Sequence, residues 1–344
     1  MKEVTPIATR KADHIRINLE ENVQSALTTG LERFRFVHRA LPEVDLEAVN
    51  LVQELFGRKV QAPILVSSMT GGTQQAGLIN RTLAEAAHAT GIAMGVGSLR
   101  AALEHPELAS TFEIRRYAPD ILLFANLGAI QLNYDFTIDH CRKAVDLIEA
   151  DALVLHFNPI QEALQPEGNT RFAGLAKQVS RVCNLLPVPV IAKEVGWGFS
   201  AADAHLLEEC GVSAIDVAGA GGTSWSQVEM NRAQNESQKL LAGAFDDWGF
   251  TTAEAILNVR QAAPQLKVIA SGGLRSGIEI AKCLALGAIL GGMASPFLKT
   301  AVESFQKTVE LIEITRREIQ ICLFGTGAGD ISTFQQGRIV ELPR

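Results

Sequence analysis

The chain has 344 residues, enough for two ordinary domains or one large barrel, and its 47% hydrophobic and 20% charged content excludes wholesale disorder. With 31 Lys and Arg against 38 Asp and Glu the net charge is −7, which argues against broad, salt-driven binding of nucleic acid. An anionic partner must then be captured in a local pocket.

Residues 1–62 read as an N-terminal extension that packs on the domain following it. Met1 to Arg16 mixes charges without an apolar stretch, so no leader is expected. The Arg10-Lys11-Ala12-Asp13-His14 group has two readings. Composition favours a solvated, mobile terminus; the alternative is a cationic clamp on a phosphate-bearing substrate, with Arg100 as its fixed partner. One helix, 46–55, is expected in this extension.

From residue 63 to 344, short runs rich in Val, Ile, Leu and Ala alternate with amphipathic segments of helical period. The runs begin near Ile64, Ile92, Ile121, Ala152, Val190, Ala214, Val268 and Ile289. Eight such units fit an α/β fold of the (β/α)8 TIM-barrel type better than a doubly wound sheet of five or six strands. Helices are expected at 75–90, stopped by Gly91, at 138–150 after Thr137, and at 276–286, stopped by Gly287. The strand starts are evenly spaced except between the sixth and seventh, where 219–250 is an insertion of the kind that carries function.

The five cysteines, Cys141, Cys183, Cys210, Cys283 and Cys322, are widely spaced, odd in number and without a CxxC pair. They read as buried free thiols in a reducing compartment. The most apolar stretch, from Cys283 to Leu298, is interrupted by Gly287, Gly291, Gly292 and Pro296, so no membrane span is expected. The expectation is a cytoplasmic protein.

In a barrel of this type chemistry sits at the carboxyl ends of the strands. The first ends in Ser67-Ser68-Met69-Thr70-Gly71-Gly72, the second in Gly97-Ser98-Leu99-Arg100, and the third in Ala125-Asn126-Leu127-Gly128. The fourth ends in His156-Phe157-Asn158-Pro159-Ile160-Gln161-Glu162, the fifth in Lys193-Glu194, and the sixth in Ala218-Gly219-Ala220-Gly221-Gly222-Thr223. Such repeated polar endings predict a rim that holds a polar ligand. The seventh and eighth, Ser271-Gly272-Gly273-Leu274-Arg275 and Gly291-Gly292-Met293-Ala294-Ser295, place glycines before helix starts, which is the phosphate cradle of this architecture.

Lys193 closes an apolar strand, and a buried lysine needs an anion. It either pairs with a carboxylate such as Glu194 or Asp216 or faces a negatively charged ligand, and the ligand is the preferred reading. His156 and Gln161 are open between a general acid/base set and structural hydrogen bonding. Glu162, a single carboxylate, can hold magnesium only if water and phosphate oxygens supply most of the ligands.

Together these segments resemble the type 2 isopentenyl diphosphate isomerases, FMN-dependent barrel enzymes, over essentially the whole length. The most specific matches are the Asn158-Pro159-Ile160-Gln161-Glu162 block and the N-terminal pair Arg10-Lys11 with His14. The resemblance implies that FMN lies on Ser68, Met69, Thr70, Ser98, Asn126, Lys193 and Thr223, with its phosphate on Gly273, Leu274, Arg275, Ala294 and Ser295. It implies a substrate diphosphate held by Arg10, Lys11, His14, Ser98, Leu99, Arg100, His156, Asn158 and Gln161, and magnesium on Glu162. Trp225 and Arg232 also match the family's loop after strand six, without an assigned role.

The implied reaction is a 1,3-proton shift between isopentenyl and dimethylallyl diphosphate, with FMN reduced by NAD(P)H and no net redox change. Reduced FMN would offer a protonated N5 as acid, Lys193 would stabilise charge at the N1/O2 edge, and Gln161 and His156 would complete the catalytic set. Analogy with similar barrels suggests a homo-oligomer. The rivals are an FMN-dependent 2-hydroxy acid oxidoreductase and a non-catalytic barrel that binds a phosphate ligand.

Overall fold

The computed structural model describes residues 6–343, with side chains from residue 10 onward. Residues 1–5 and 344 of the expected extension and barrel lie outside the described residues. After a helix, Pro6–Glu20, come strand β1 (Phe34–Phe36) and the hairpin of β2 (Gln53–Leu55) and β3 (Arg58–Val60). The eight apolar runs then become β4 (Ile64–Val66), β5 (Ala93–Gly95), β6 (Leu123–Gly128), β7 (Ala152–His156), β8 (Val190–Lys193), β9 (Ala214–Asp216), β10 (Lys267–Ala270) and β11 (Leu290–Met293). Each begins within two residues of its expected start. They pair in parallel and in chain order, and β11 returns to β4 to close the barrel. A last strand, β12 (Ile339–Glu341), runs antiparallel to β1.

Period-two alternation explains why these runs close into a barrel. Leu65, Ala93, Phe124, Val154, Ile191, Ala214, Ile269 and Leu290 meet in one interior cluster. The intervening Ile64, Val66, Met94, Leu153, Leu155, Ile215 and Val268 belong to the larger core shared with the helices. Leu55 and Val60 of the hairpin join the interior cluster, and Phe56 meets the Phe124 ring edge-on at 6.3 Å. Phe56 and Gly57 both take left-handed backbone, φ 51° and 75°, as a tight hairpin turn requires. The hairpin thereby seals the amino-terminal end of the barrel.

The helix expected at 75–90 runs Gln74–Thr90, with Thr73 accepting from the Ala76 amide and Gly91 left-handed at φ 68°. That expected at 138–150 stops at Ile148, because Glu149 turns left-handed and the Ala150 amide bonds back to Val145. Ser276 caps rather than begins the helix Gly277–Ala285.

The expected helix at 46–55 is a correction. A single 3-10 turn, Leu46–Ala48, is followed by β2. Asn50 Oδ1 accepts from the Val52 amide at 3.0 Å, and the Asn50 amide bonds to Gly329, so side-chain competition and β-branched Val49 and Val52 end the helix. The 219–250 insertion is also structured, with helices Trp225–Arg232 and Glu236–Gly243.

All five cysteines are free; Cys141, Cys210 and Cys283 are buried, whereas Cys183 and Cys322 are half-buried. Burial pushes the Cys141, Cys183 and Cys322 thiols up to about 12, so they are inert packing groups. Among the described residues no helix is long and apolar enough to cross a membrane.

Candidate active site

One further step of two residues along the strands turns the barrel interior from apolar to polar. Ser67, Asn126, His156, Lys193, Asp216 and Ser271 follow Leu65, Phe124, Val154, Ile191, Ala214 and Ile269 on the inward side. Above them opens a cavity of about 640 Å³, walled by every strand-end segment from Ser67 to Lys299.

Lys193 Nζ lies 3.0 Å from Asp216 Oδ2 and donates to Ser271 Oγ at 3.1 Å, while also lining the cavity. Pairing with a carboxylate and facing a ligand are therefore not alternatives, which corrects the preference for the ligand alone. Glu194 is not the partner. Its Oε2 accepts from the Val195, Gly196 and Trp197 amides at 2.6 to 2.7 Å, although burial still pushes its carboxyl up to about 7. His156 Nδ1 is 2.8 Å from Asn126 Oδ1. Burial pushes His156 down to about 4, aided by Lys193 and Lys11, so it is neutral at pH 7 with its proton on Nδ1 and Nε2 left as an acceptor.

The turn after β7 carries the second polar group. Asn158 begins the helix Pro159–Leu164, and its Nδ2 donates to Gln161 Oε1 at 3.1 Å and to Glu162 Oε1 at 2.9 Å. Glu162 Oε2 accepts from the Asn169 amide at 2.5 Å, and Gln131 Nε2 holds the Asn169 side chain at 3.1 Å. Gln161 and Gln165 both donate to Glu229 Oε1, at 3.2 and 2.8 Å, and Arg232 pairs with Glu229 Oε2. Burial alone would lift the Glu229 carboxyl, but His14, Arg232 and Gln161 bring it down to about 2. Glu229, Gln165, Gln131 and Asn169 were not singled out from sequence. Glu229 lies 68 positions from Gln161, and only the fold joins them.

The N-terminal group is docked rather than free, with Arg10, Lys11, Asp13 and His14 half-buried. The helix Pro6–Glu20 lies over the cavity, held by Ile17 packing with Val23, Val228 and Trp225 and by the His14 ring set edge-on to Trp225 at 5.0 Å. Beyond it, Ser25 and Ser224 exchange backbone bonds with Gly222 and Val23, fastening the extension to the loop after β9. Lys11 Nζ reaches the Ser98 carbonyl at 2.8 Å and sits 5.0 Å over the Phe112 ring, with no carboxylate in contact among the described residues. Burial pushes the Lys11 ammonium down to about 7, and the Arg10 and Arg100 charges push the same way. Arg10 donates to Gln165 at 3.3 Å, whereas Arg100 is partly answered by Glu104 at 2.7 Å.

The glycine cradle forms as expected. Gly272 and Gly273 are left-handed, φ 102° and 76°, and a Cβ there would lie 2.1 Å from the Gly219 carbonyl oxygen and 2.3 Å from that of Gly221. No side chain caps the helix Ser295–Glu303, which leaves its first amides toward the cavity wall formed by Ala294 and Ser295. Leu274 and Arg275 line the same wall, as do Ser68, Met69, Thr70, Ser98 and Thr223 around the rest of the mouth. The Leu99 side chain is wholly buried in the core rather than on the cavity wall; its amide donates to the Asn126 carbonyl, and its own carbonyl accepts from the Ala102 and Leu103 amides.

Among the described residues two buried polar atoms of the cavity wall, Ser67 Oγ and Asn158 Oδ1, have no hydrogen-bond partner, whereas His14 Nε2 lies 3.4 Å from Glu229 Oε1. Together with the glycine-rich wall and the half-buried Lys11, they fit a large polar ligand bearing phosphate, as FMN is. Among the described residues no cluster of three or more His, Cys, Asp or Glu side chains could cage a metal. Glu162 fits magnesium only as one oxygen ligand among others.

A family model described as FMN-dependent dehydrogenase matches residues 158–341, more than half of the chain. An isopentenyl-diphosphate delta-isomerase from Nostoc sp. is 54% identical over 94% of this chain and 92% of its own length. Namesakes from Synechocystis sp. and Stutzerimonas stutzeri are 52% and 48% identical, covering 95% and 98% of this chain and 94% and 98% of theirs. Solved structures of a flavocytochrome b2 variant with sulfite bound and of a mandelate oxidase variant superpose with TM-scores of 0.67 and 0.64. They cover 95% and 100% of this chain, and 78% and 100% of those chains, at 19% and 17% identity, which shows a shared fold. On the strength of its full-length relatives and this barrel, the chain belongs to the FMN-dependent, type 2 isopentenyl-diphosphate delta-isomerase family.

Proposed function

We propose that the protein interconverts isopentenyl and dimethylallyl diphosphate by a 1,3-proton shift, using FMN reduced by NAD(P)H together with magnesium. The observation that carries this reading is that one cavity has two separate places for anions. The glycine cradle with the uncapped helix Ser295–Glu303 suits the FMN phosphate, and the half-buried Lys11 beside Arg10, with no carboxylate in contact among the described residues, suits a diphosphate. A small 2-hydroxy acid would call for a single carboxylate site, and a non-catalytic barrel would have no use for the second.

Reduced FMN supplies an electron-rich ring and an exchangeable proton beside an alkene that is itself a very poor base. The chain supplies placement. Arg10, Lys11 and Arg100 would fix the diphosphate, and that remote binding orients the five-carbon end. Asn158 would join them through its unpartnered Oδ1 only by way of a donor such as metal-bound water. Glu162 would contribute one oxygen to magnesium, and water and diphosphate would complete the shell.

Lys193 would present its ammonium to the flavin. Gln161, tied at both ends of its amide by Asn158 and Glu229, is oriented rather than free to exchange protons. Neutral His156 can accept a hydrogen bond through Nε2. Ser68, Met69, Thr70, Ser98, Asn126 and Thr223 would line the flavin, and the helix Pro6–Glu20 would keep water from it.

Free thiols, buried or half-buried, suit a reducing, cytoplasmic setting. Exposed Leu240, Leu241, Trp248 and Phe250 support assembly into a homo-oligomer, which sedimentation would reveal. The function itself is tested by reducing the purified protein anaerobically with FMN and magnesium present and following isopentenyl diphosphate by proton NMR. Formation of the dimethylallyl isomer is expected, and unchanged substrate would reject the reading.

A further inference from the structure

We propose that Asp216, aided by Ser271, is a positioning residue that sets the reduction potential of the flavin through Lys193. The proposal rests on the reading that this cavity holds FMN. The three side chains come from adjacent parts of the barrel: Lys193 and Asp216 are register partners on β8 and β9, and Ser271 directly follows β10. Lys193 Nζ is 3.0 Å from Asp216 Oδ2 and 3.1 Å from Ser271 Oγ, and Ser271 in turn donates to Asp216 Oδ1 at 2.6 Å. The contacts close a ring whose members are 7%, 3% and 3% exposed.

An ammonium has three N–H donors. Two are used within the ring, which leaves one for the cavity. Lys193 and Ser271 line that cavity but Asp216 does not, so the carboxylate acts on a ligand from behind the lysine. Other groups nearby do not substitute for it. Glu194 turns its carboxylate to three backbone amides, and His156, beside Lys193 in the β7–β8 register, is neutral. Asp216 thus cancels most of the charge that Lys193 would otherwise direct at the flavin, and it holds the ammonium in one orientation.

Two-electron reduction adds negative charge to the flavin, so a neighbouring cation favours the reduced state and its counter-charge moderates that preference. The test is the midpoint potential of the FMN-loaded protein, measured anaerobically against a reference dye. The expected result for Asp216→Asn is a higher potential, equivalent to at least about tenfold tighter binding of reduced over oxidised FMN relative to wild type. The full shift should be absent from a Lys193→Met background, where Asp216 has no ammonium through which to act on the flavin.

Ser271→Ala should move the potential in the same direction by less. An Asp216→Asn potential equal to wild type would overturn the proposal, as would a full shift that persists without Lys193. Should Asp216→Asn or Lys193→Met not fold, Ser271→Ala decides, and an unshifted potential there overturns it. A wild-type protein that takes up no FMN overturns this proposal and the functional reading together. An FMN-loaded protein without the shift overturns this proposal alone.

Discussion

The two ends of the barrel interior are built from the same strands, two residues apart, and obey opposite rules. At the amino-terminal end Leu65, Phe124, Val154, Ile191 and Ile269 close on Leu55 and Val60 of the hairpin, with no polar atom to satisfy. At the carboxyl end Asn126, His156, Lys193, Asp216 and Ser271 must each find a partner, and Ser67 Oγ has none. The lower layer stabilises by removing apolar surface from water, about 1.5–3 kcal/mol for a fully buried Phe, Leu or Ile. The upper layer stabilises little, because desolvating its charges offsets their attraction. Its value lies in holding charge ready for a ligand.

Substitutions can break that contrast. Lys193→Met removes one member of a buried pair and strands Asp216, so about 3–5 kcal/mol of stability should be lost. Turnover per folded molecule should drop by on the order of a thousandfold. Thermal melts and NMR rates would measure the two, and full FMN affinity with full turnover would remove the lysine from the chemistry. Phe124→Ala should cost about 3–5 kcal/mol in the melt, yet leave FMN uptake by the folded fraction unchanged. Loss of flavin in proportion to stability would show that the two layers are not separable.

A pH series sharpens the comparison, because no group of the lower layer titrates. Lys11 is held down at about 7 by burial and by Arg10 and Arg100, against an ordinary 10.5. A bound anion reverses that, so binding takes up a proton wherever Lys11 is neutral in the free protein, above pH 7. Affinity for isopentenyl diphosphate should be full below pH 7 and fall by up to about tenfold per unit above it. Lys11→Arg, charged throughout, should bind with a flatter profile than wild type. A wild-type profile no steeper than that of Lys11→Arg would exclude the linkage. The smallest effect is expected at Glu162→Gln, which should raise the magnesium needed for half-maximal rate by about tenfold, the equivalent of one charge-assisted contact. An unchanged magnesium titration would remove Glu162 from the metal.

The lower layer and the cradle were the legible parts of the sequence. Apolar runs located all eight strands, and paired glycines before Ser276 and Ser295 located a glycine-rich wall of the cavity, because both signals are local. Relations made by the closed barrel were not legible. Glu194 is adjacent to Lys193 in sequence, but Asp216 is adjacent in register, and period-two alternation from Ala214 was the signal that could have chosen between them. The helix Pro6–Glu20 was hidden because its seat, Trp225 and Val228, lies more than 200 positions away. The 46–55 stretch misled because its apolar spacing is helical while Asn50 bonds to the backbone instead.

The most direct test counts product against reductant. Under anaerobic conditions, with FMN, magnesium and a known limiting amount of NADPH, many molecules of dimethylallyl diphosphate should form for each NADPH consumed. One product per NADPH, or steady NADPH consumption that tracks product, would contradict an isomerisation without net redox change.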